Sequence, residues 1–322
     1  MSLAVKGLHR IPCLIGGNKP LYQHVLEGED TVVWIDTGIA STPQQEMIPY
    51  WQSHASSDEA GQKKQLLVIT HADVDHFGGY AQMKQWLPQL SSMAHRADVA
   101  WIADPERIIT ERYNMHAADG LQLTTERIDQ LKERGGGGGR IDMSLAGGET
   151  IQLGEAGEWQ LLHTPGHTPG HLILWEQSSR TAVIGDAVLG CGLLNTAGEL
   201  VAPPPYYDCG SYRDTIQLLR SLQPDVVYSS HFPVMEAAAF QRFLDESLEM
   251  TRQLEHVLVL LPKGRSYTLG ELCLEAGTQL GYWPESAWNG LCDPLSAHLL
   301  EKSREGSVRS SFDEGLRLYS FN

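Results

Sequence analysis

The stretch QLLVITHADVDHFGG, residues 65–79, limits what this chain can fold into more than any other. Its first six residues make a short, almost continuous apolar run, the pattern of a strand covered on both faces. The apolar spacing of FGGYAQMKQWLPQL, which begins at Phe77, suits a helix. HADVDH therefore sits on a loop between a buried strand and a helix, at the kind of strand end where α/β proteins build their sites. Four side chains able to hold a metal, His71, Asp73, Asp75 and His76, fall within those six positions.

Ligand types recur at other strand ends. Strand signals resume in ETIQLG, EWQLLHTPG, HLILWE and RTAVIGD, and a last strand, VVYSSHFPV, ends on a histidine. HTPGHTPGH carries His163, His167 and His171; GDAVLG carries Asp186; SSHF carries His231. Four separate strand-to-loop junctions, each ending in a ligand type, point to a metal centre.

Bulk properties narrow the partners. The formal charge of −16, from 24 cationic and 40 acidic residues, repels phosphate backbones at long range. Nucleic acid is thus a disfavoured partner, although a local basic patch stays compatible with the sequence. Five scattered cysteines without a CxxC pair suit a reducing compartment. No apolar run reaches the roughly 18 residues that span a bilayer. The start, MSLAVKGLHR, has no apolar core segment typical of a secretory signal. A cytoplasmic enzyme acting on a small molecule, with no membrane partner, is the expectation; the oligomeric state is open.

Five spaced motifs, in order Asp36 in the early strand-turn, HADVDH, His167 of TPGHT, Asp186 of GD, and His231, give the chain a family likeness. It resembles the metallo-β-lactamase superfamily, the αββα sandwich hydrolases that include glyoxalase II, lactonases and RNA nucleases. The resemblance covers about residues 7 to 240. GDAVLGCG and the helical tail are similar to the branch with a C-terminal winged-helix domain, which includes β-lactamase-like hydrolases and endoribonucleases. The implied fold class is α+β: a catalytic sandwich over residues 1–240 and a small helical, winged-helix-like domain over 241–322. The tail reads accordingly as three helices and a hairpin, SVRSSFDEGLRLYSF.

The resemblance also implies two adjacent divalent metals, zinc first. One would take His71, Asp73 and His167; the other Asp75, His76 and His231; Asp186 would bridge them, with a hydroxide between the ions as nucleophile. Asp36 would orient ligand loops by hydrogen bonding, and Asp75 could also accept the proton of the attacking water. The common motif has histidine where this chain has Asp73. A carboxylate oxygen lies as many bonds from Cβ as an imidazole Nδ1, so Asp73 can occupy nearly the same ligand position. Two divalent ions against three aspartates and a hydroxide leave the cage neutral, one positive charge fewer than a histidine at 73 would. That favours harder ions, iron or manganese, against the greater intrinsic affinity for zinc. The carboxylate at that position is similar to the glutamate of the flavodiiron proteins, but no flavodoxin domain is present to deliver electrons.

Other residues carry weaker signals. His163 and His171 are expected to support the loop that presents His167. Tyr206 and Tyr207, behind three prolines, are candidates to line the pocket and stabilise an oxyanion. His9, His24, His54, His95, His116, His256 and His298 lack motif context and are assigned surface or capping roles. GGGGG at 135–139 reads as a flexible connector. The expected function is hydrolysis of a small ester, thioester or lactone; phosphodiester or single-stranded RNA cleavage is the alternative, and iron-dependent oxidation a lesser one. β-Lactamase activity itself is not expected.

Overall fold

The computed structural model describes residues 5–16, 18–54 and 63–322. The first four residues of the segment searched for a secretory signal lie outside them. Two six-stranded sheets form the body. The first runs in chain order: β1 (Leu8–Ile15), β2 (Lys19–Glu27), β3 (Thr31–Ile35), β4 (Lys64–Ile69), β5 (Ser91–His95) and β6 (Met143–Leu145). The β1–β2 and β2–β3 pairs are antiparallel, and β3 to β6 are parallel. The second contains β7 (Thr150–Gln152), β8 (Glu158–His163), β9 (Leu172–Glu176) and β10 (Thr181–Val183). A separate two-stranded ribbon follows, β11 (Leu193–Leu194) with β12 (Leu200–Ala202). Strands β13 (Val226–Tyr228) and β14 (Met235–Glu236) then complete the second sheet in the order β14-β13-β10-β9-β8-β7.

Alternation along the strands explains the layering. In β4, Leu66 and Val68 join Val33, Leu161 and Leu174 between the sheets. Leu67 and Ile69 point the other way, onto Trp34, Met83 and Trp101 under the helices of the first sheet. A strand buried on both faces has no polar side to show, which is why QLLVI reads as continuous apolar sequence. On the far face, Ile173 and Ala182 of the second sheet meet Tyr212, Ile216 and Phe240.

Five longer helices matter for the site: α1 (Thr125–Gly135), α2 (Cys209–Leu222), α3 (Ala237–Leu260), α4 (Leu269–Leu280) and α5 (Cys292–Arg304). The chain ends in the hairpin β16 (Val308–Asp313) and β17 (Leu316–Phe321), joined at β17 by a third strand, β15 (Ser266–Tyr267). The apolar cluster of the second sheet runs without a break across residue 240, from Ile173 through Leu254 to Leu295 and Tyr319. No helix among the described residues is long and apolar enough to cross a membrane.

The pentaglycine is not the free connector its composition suggests. Gly135 closes α1 and Gly136 caps it in the left-handed region, φ 58°. A Cβ on Gly136 would lie 2.3 Å from the Gly78 carbonyl oxygen, and one on Gly139 2.2 Å from the Tyr80 ring. At Gly136 and Gly139 a side chain is excluded because the segment after α1 runs against the Gly78 carbonyl and the Tyr80 ring, whereas a Cβ on Gly137 would meet nothing within 4 Å.

Candidate metal centre

The HADVDH segment leaves β4 as a loop and enters the one-turn helix Val74–Phe77 at Asp75 and His76. Its backbone is tied to the Asp36-Thr37-Gly38 turn: Thr37 N–H donates to the His76 carbonyl (2.7 Å), and Gly79 N–H to that of Gly38 (3.1 Å). Asp36, at φ 63°, accepts from Thr70 N–H (2.6 Å), Thr70 Oγ1 (2.7 Å) and His76 Nδ1 (2.9 Å).

Four histidines present Nε2 to one centre, each held by its other nitrogen. His71 Nδ1 donates to Thr70 Oγ1 (3.0 Å), His76 Nδ1 to Asp36, His167 Nδ1 to the Pro205 carbonyl (2.8 Å) and His231 Nδ1 to the Pro20 carbonyl (2.9 Å). Such anchoring fixes tautomer and ring orientation in metal-binding histidines. Asp186 Oδ2 lies 3.1 Å from His231 Nε2 and 3.5 Å from His76 Nε2; Asp75 Oδ2 lies 3.5 and 3.8 Å from the same atoms. His71, His167 and Asp186 form a second trio with ligand atoms within 4.8 Å. Ligand atoms about 2.0–2.1 Å from a tetrahedral ion sit about 3.3 Å apart, so these separations suit divalent ions.

The polar satisfaction makes the same point. The Nε2 atoms of His71, His76 and His167, and Asp186 Oδ1, are buried with no hydrogen-bond partner. Each such orphan costs about 1–3 kcal/mol unless something meets it. Four converging orphans on a histidine–carboxylate set fit a bound cation. Other groupings differ: in His116–Cys292–Asp293 and Cys209–His298–Glu301, the carboxylates already hold Arg112 and Arg213.

Asp73 is turned toward the centre, with Oδ2 3.1 Å from His167 Nε2 and 3.9 Å from His71 Nε2. Its Oδ1 accepts from Arg112 Nε (3.3 Å) and Tyr113 Oη (3.2 Å). Arg112 is buried and also donates to Asp293 Oδ2 of α5 (3.1 Å). Burial pushes the Asp73 carboxyl up, but Arg112 and then His167 outweigh it and hold the group well below the ordinary carboxylate range. The guanidinium, which Asp73 shares with Asp293, returns part of the positive charge that an aspartate at 73 removes, which the ligand count from sequence omits.

Two positions expected at the site lie away from it. Tyr206 is fully buried, stacked on Tyr212, with its hydroxyl 2.8 Å from His298 Nε2. Tyr207 sits at the surface beside Trp101. Alternation sends the two rings to opposite sides of the loop, and neither reaches the cluster. The loop acts instead through the Pro205 carbonyl on His167. The tyrosine at the centre is Tyr113, whose hydroxyl also accepts from Val74 N–H (2.8 Å).

Several framework residues escaped sequence reasoning. Asp98 accepts from Ala72 N–H (2.9 Å), Thr168 Oγ1 (2.7 Å) and Gly170 N–H (2.7 Å), clamping the HADVDH and HTPGHTPGH loops together. Burial lifts its carboxyl to about 6 against these bonds. His171 accepts from Asp186 N–H (3.1 Å) and pairs with Thr164 through Nδ1, a supporting part as expected. His24, His95, His116 and His298 are buried rather than at the surface; His116 pairs with Asp293 (3.1 Å) and Asp119 (3.6 Å).

Beside the cluster opens a cleft of about 690 Å³. Asp73, Asp75 and Arg112 form its floor, with walls from α1, the Leu121–Leu123 region, the β11–β12 ribbon and the segment before α5.

Residues 21–231 match the model of the metallo-beta-lactamase superfamily. The chain is 26% identical over 259 residues to a probable metallo-hydrolase, YflN, of Bacillus subtilis (strain 168), covering 76% of this chain and 90% of that protein. It is 24% identical over 208 residues to the human acyl-coenzyme A thioesterase MBLAC2, covering 62% of this chain and 66% of that one. In fold it is similar to the metallo-beta-lactamase family protein TTHA1429 of Thermus thermophilus, with a TM-score of 0.75 at 19% identity over 98% of this chain and 99% of that chain.

Proposed function

Because this chain belongs to the metallo-beta-lactamase superfamily, whose members are generally hydrolases, we propose that it hydrolyses a small acyl substrate, a thioester first, with two divalent ions. His71, Asp73 and His167 would hold one ion; Asp75, His76 and His231 the other; Asp186 would touch both. The observation that carries this reading is the convergence of the unpartnered Nε2 atoms of His71, His76 and His167 with Asp186 Oδ1. When bound, the ions would supply Lewis acidity and a nucleophilic hydroxide at neutral pH.

The protein's own groups divide the rest. Asp75 Oδ2 faces His76 and His231, and its side chain, 20% exposed, lines the cleft, where it is the proposed proton acceptor from the attacking water. Arg112 and Tyr113 fix Asp73 from behind. Leu121, Leu123 and Pro203 give the cleft an apolar wall for an acyl chain. The thioester preference is supported by the likeness to the human acyl-coenzyme A thioesterase. Zinc is the proposed metal: Arg112 offsets part of the added negative charge of Asp73, which was the electrostatic reason to expect iron or manganese.

Elemental analysis of protein prepared without added metal, combined with assays on an acyl thioester and on bis-p-nitrophenyl phosphate, tests this. About two metals per chain are expected, falling toward one in Asp73→Ala, with thioester turnover lost to a chelator and restored by Zn2+. One metal in both forms would end the two-ion reading. Diester turnover exceeding thioester turnover would replace the substrate class.

A further inference from the structure

The cleft carries an excess of unpaired positive charge that the metal centre does not explain. Several cations elsewhere are neutralised, such as Lys63 with Glu27, Lys84 with Asp142, Arg213 with Glu301 and Lys302 with Glu255. Lys19, Arg127 and Arg134 line the cleft with Asp75. Among the described residues no carboxylate lies within 4 Å of any of the three.

Three different parts of the fold bring these cations together. Arg127 and Arg134 are two turns apart on α1 and share one face. Arg134 leans on the turn between β1 and β2, where a Cβ added to Gly16 would lie 3.2 Å from its Nη2. Lys19 opens β2 just beyond that turn. Ordinary helix electrostatics account for Arg134, in the last turn, but not for Arg127, in the first turn where a cation is disfavoured. Burial and then Arg127 depress the Lys19 ammonium, and burial and then Arg134 depress Arg127. In a chain of charge −16, three cations gathered on one cleft, each depressed by or depressing another and one of them in the first turn of a helix, mark a place built for an anion.

We propose that Lys19, Arg127 and Arg134 form an anion subsite in the cleft, and that the substrate is an acyl thioester whose thiol portion carries phosphate. Two planar guanidinium forks and a point charge match phosphate oxygens. Asp75 on the same cleft places this subsite beside the metal cluster, with the apolar wall left for the acyl chain. A cleft of about 690 Å³ is within the range that encloses an extended small-molecule ligand. The substrate assignment rests on the acyl-hydrolase reading; the subsite itself does not.

The test separates the two. For catalysis, the holoenzyme is assayed on an acyl-coenzyme A and on the N-acetylcysteamine thioester of the same acyl group, which has no phosphate. The KM of the phosphate-free ester is expected to exceed that of the acyl-coenzyme A by about 30-fold, and this ratio to fall toward one in Lys19→Gln/Arg127→Gln/Arg134→Gln. Lys replacing both arginines, Arg127→Lys/Arg134→Lys, should keep most of the ratio, which a misfolded variant could not do. For binding without turnover, titration calorimetry with adenosine 3′,5′-bisphosphate should show salt-dependent association weakened about tenfold or more by the triple substitution. If that binding is lost in the variant while neither thioester is hydrolysed, the subsite stands and the thioester reading falls. Equal KM for the two esters in wild type, or bisphosphate binding indifferent to the three substitutions, overturns the proposal. A single-stranded RNA oligomer that is cleaved and depends on the same cations, while acyl-coenzyme A does not, would leave the subsite standing and overturn the substrate assignment.

Discussion

The two halves of the metal cluster are braced from different parts of the chain. The half with Asp75, His76 and His231 is steadied directly by Asp36, just after β3, and by the Pro20 carbonyl of β2; Asp36 reaches the other half only through Thr70, which anchors His71. The half with His71, Asp73 and His167 leans on Arg112 from the helical stretch after β5, on Asp293 from α5, and on the Pro205 carbonyl. The residue that departs from the common motif, Asp73, lies in the half with remote support. A carboxylate there is compatible with a buried guanidinium behind it; an imidazole would be repelled. The departure and its counter-ion are one structural unit.

The largest expected effect breaks that unit. Arg112→Met leaves Asp73 and Asp293 facing each other without their shared partner, and removing one side of a buried ion pair costs about 3–5 kcal/mol. Urea denaturation should report the loss, and metal analysis should show the Asp73 half emptied before the Asp75 half. Restoring the common motif alone is the next test. Asp73→His should lower stability and metal content together, because it sets an imidazole beside the guanidinium. Asp73→His/Arg112→Met should recover about 1–3 kcal/mol over the sum of the single changes.

A finer comparison sets Asp293→Asn against Asp36→Asn. Each removes support without touching a ligand, so each should weaken metal affinity by about 10–100-fold. Competition with a chromophoric chelator should show the loss in Asp293→Asn confined to the ion of the Asp73 half, and in Asp36→Asn greatest at the ion held by His76, with a smaller loss at His71 through Thr70. Equal loss of both ions in Asp293→Asn would dissolve the distinction between the halves.

The smallest effect concerns pH. Burial would lower the His116 imidazolium, but Asp119 and then Asp293 raise it to about 11. A pKa raised on folding contributes stability in full below the unfolded value near 6.5, and that contribution fades as pH rises toward about 11. His116→Gln should therefore flatten the decline in thermal midpoint between about pH 7 and 10.

What could be read in sequence followed from locality. His71, Asp75, His76, His167, Asp186 and His231 each lie in the loop or first helical turn after a strand, so the strand signals and the family resemblance together put them on one rim. Arg112 and Asp293 meet across 181 positions with no motif at either end. Asp98 sits in a helical approach that looks like any other. Tyr206 and Tyr207 misled because a stiff aromatic loop does not reveal which ring faces in, and its working atom is a backbone carbonyl. The glycine run misled because composition measures conformational freedom and not how near the neighbours are. The buried strand β4 was legible as a short apolar run, while the sandwich around it followed from the family resemblance of the spaced motifs.

The Asp98 clamp has a mechanical consequence. One carboxylate holds a loop of the first sheet and a loop of the second, and Tyr22 N–H donates to the Ser230 carbonyl (2.8 Å) as a further rivet between the sheets. Sliding one sheet over the other would shear these bonds at once. The two sheets therefore behave as a single rigid anvil, and the loops that carry the metal-binding side chains are held to one separation by it.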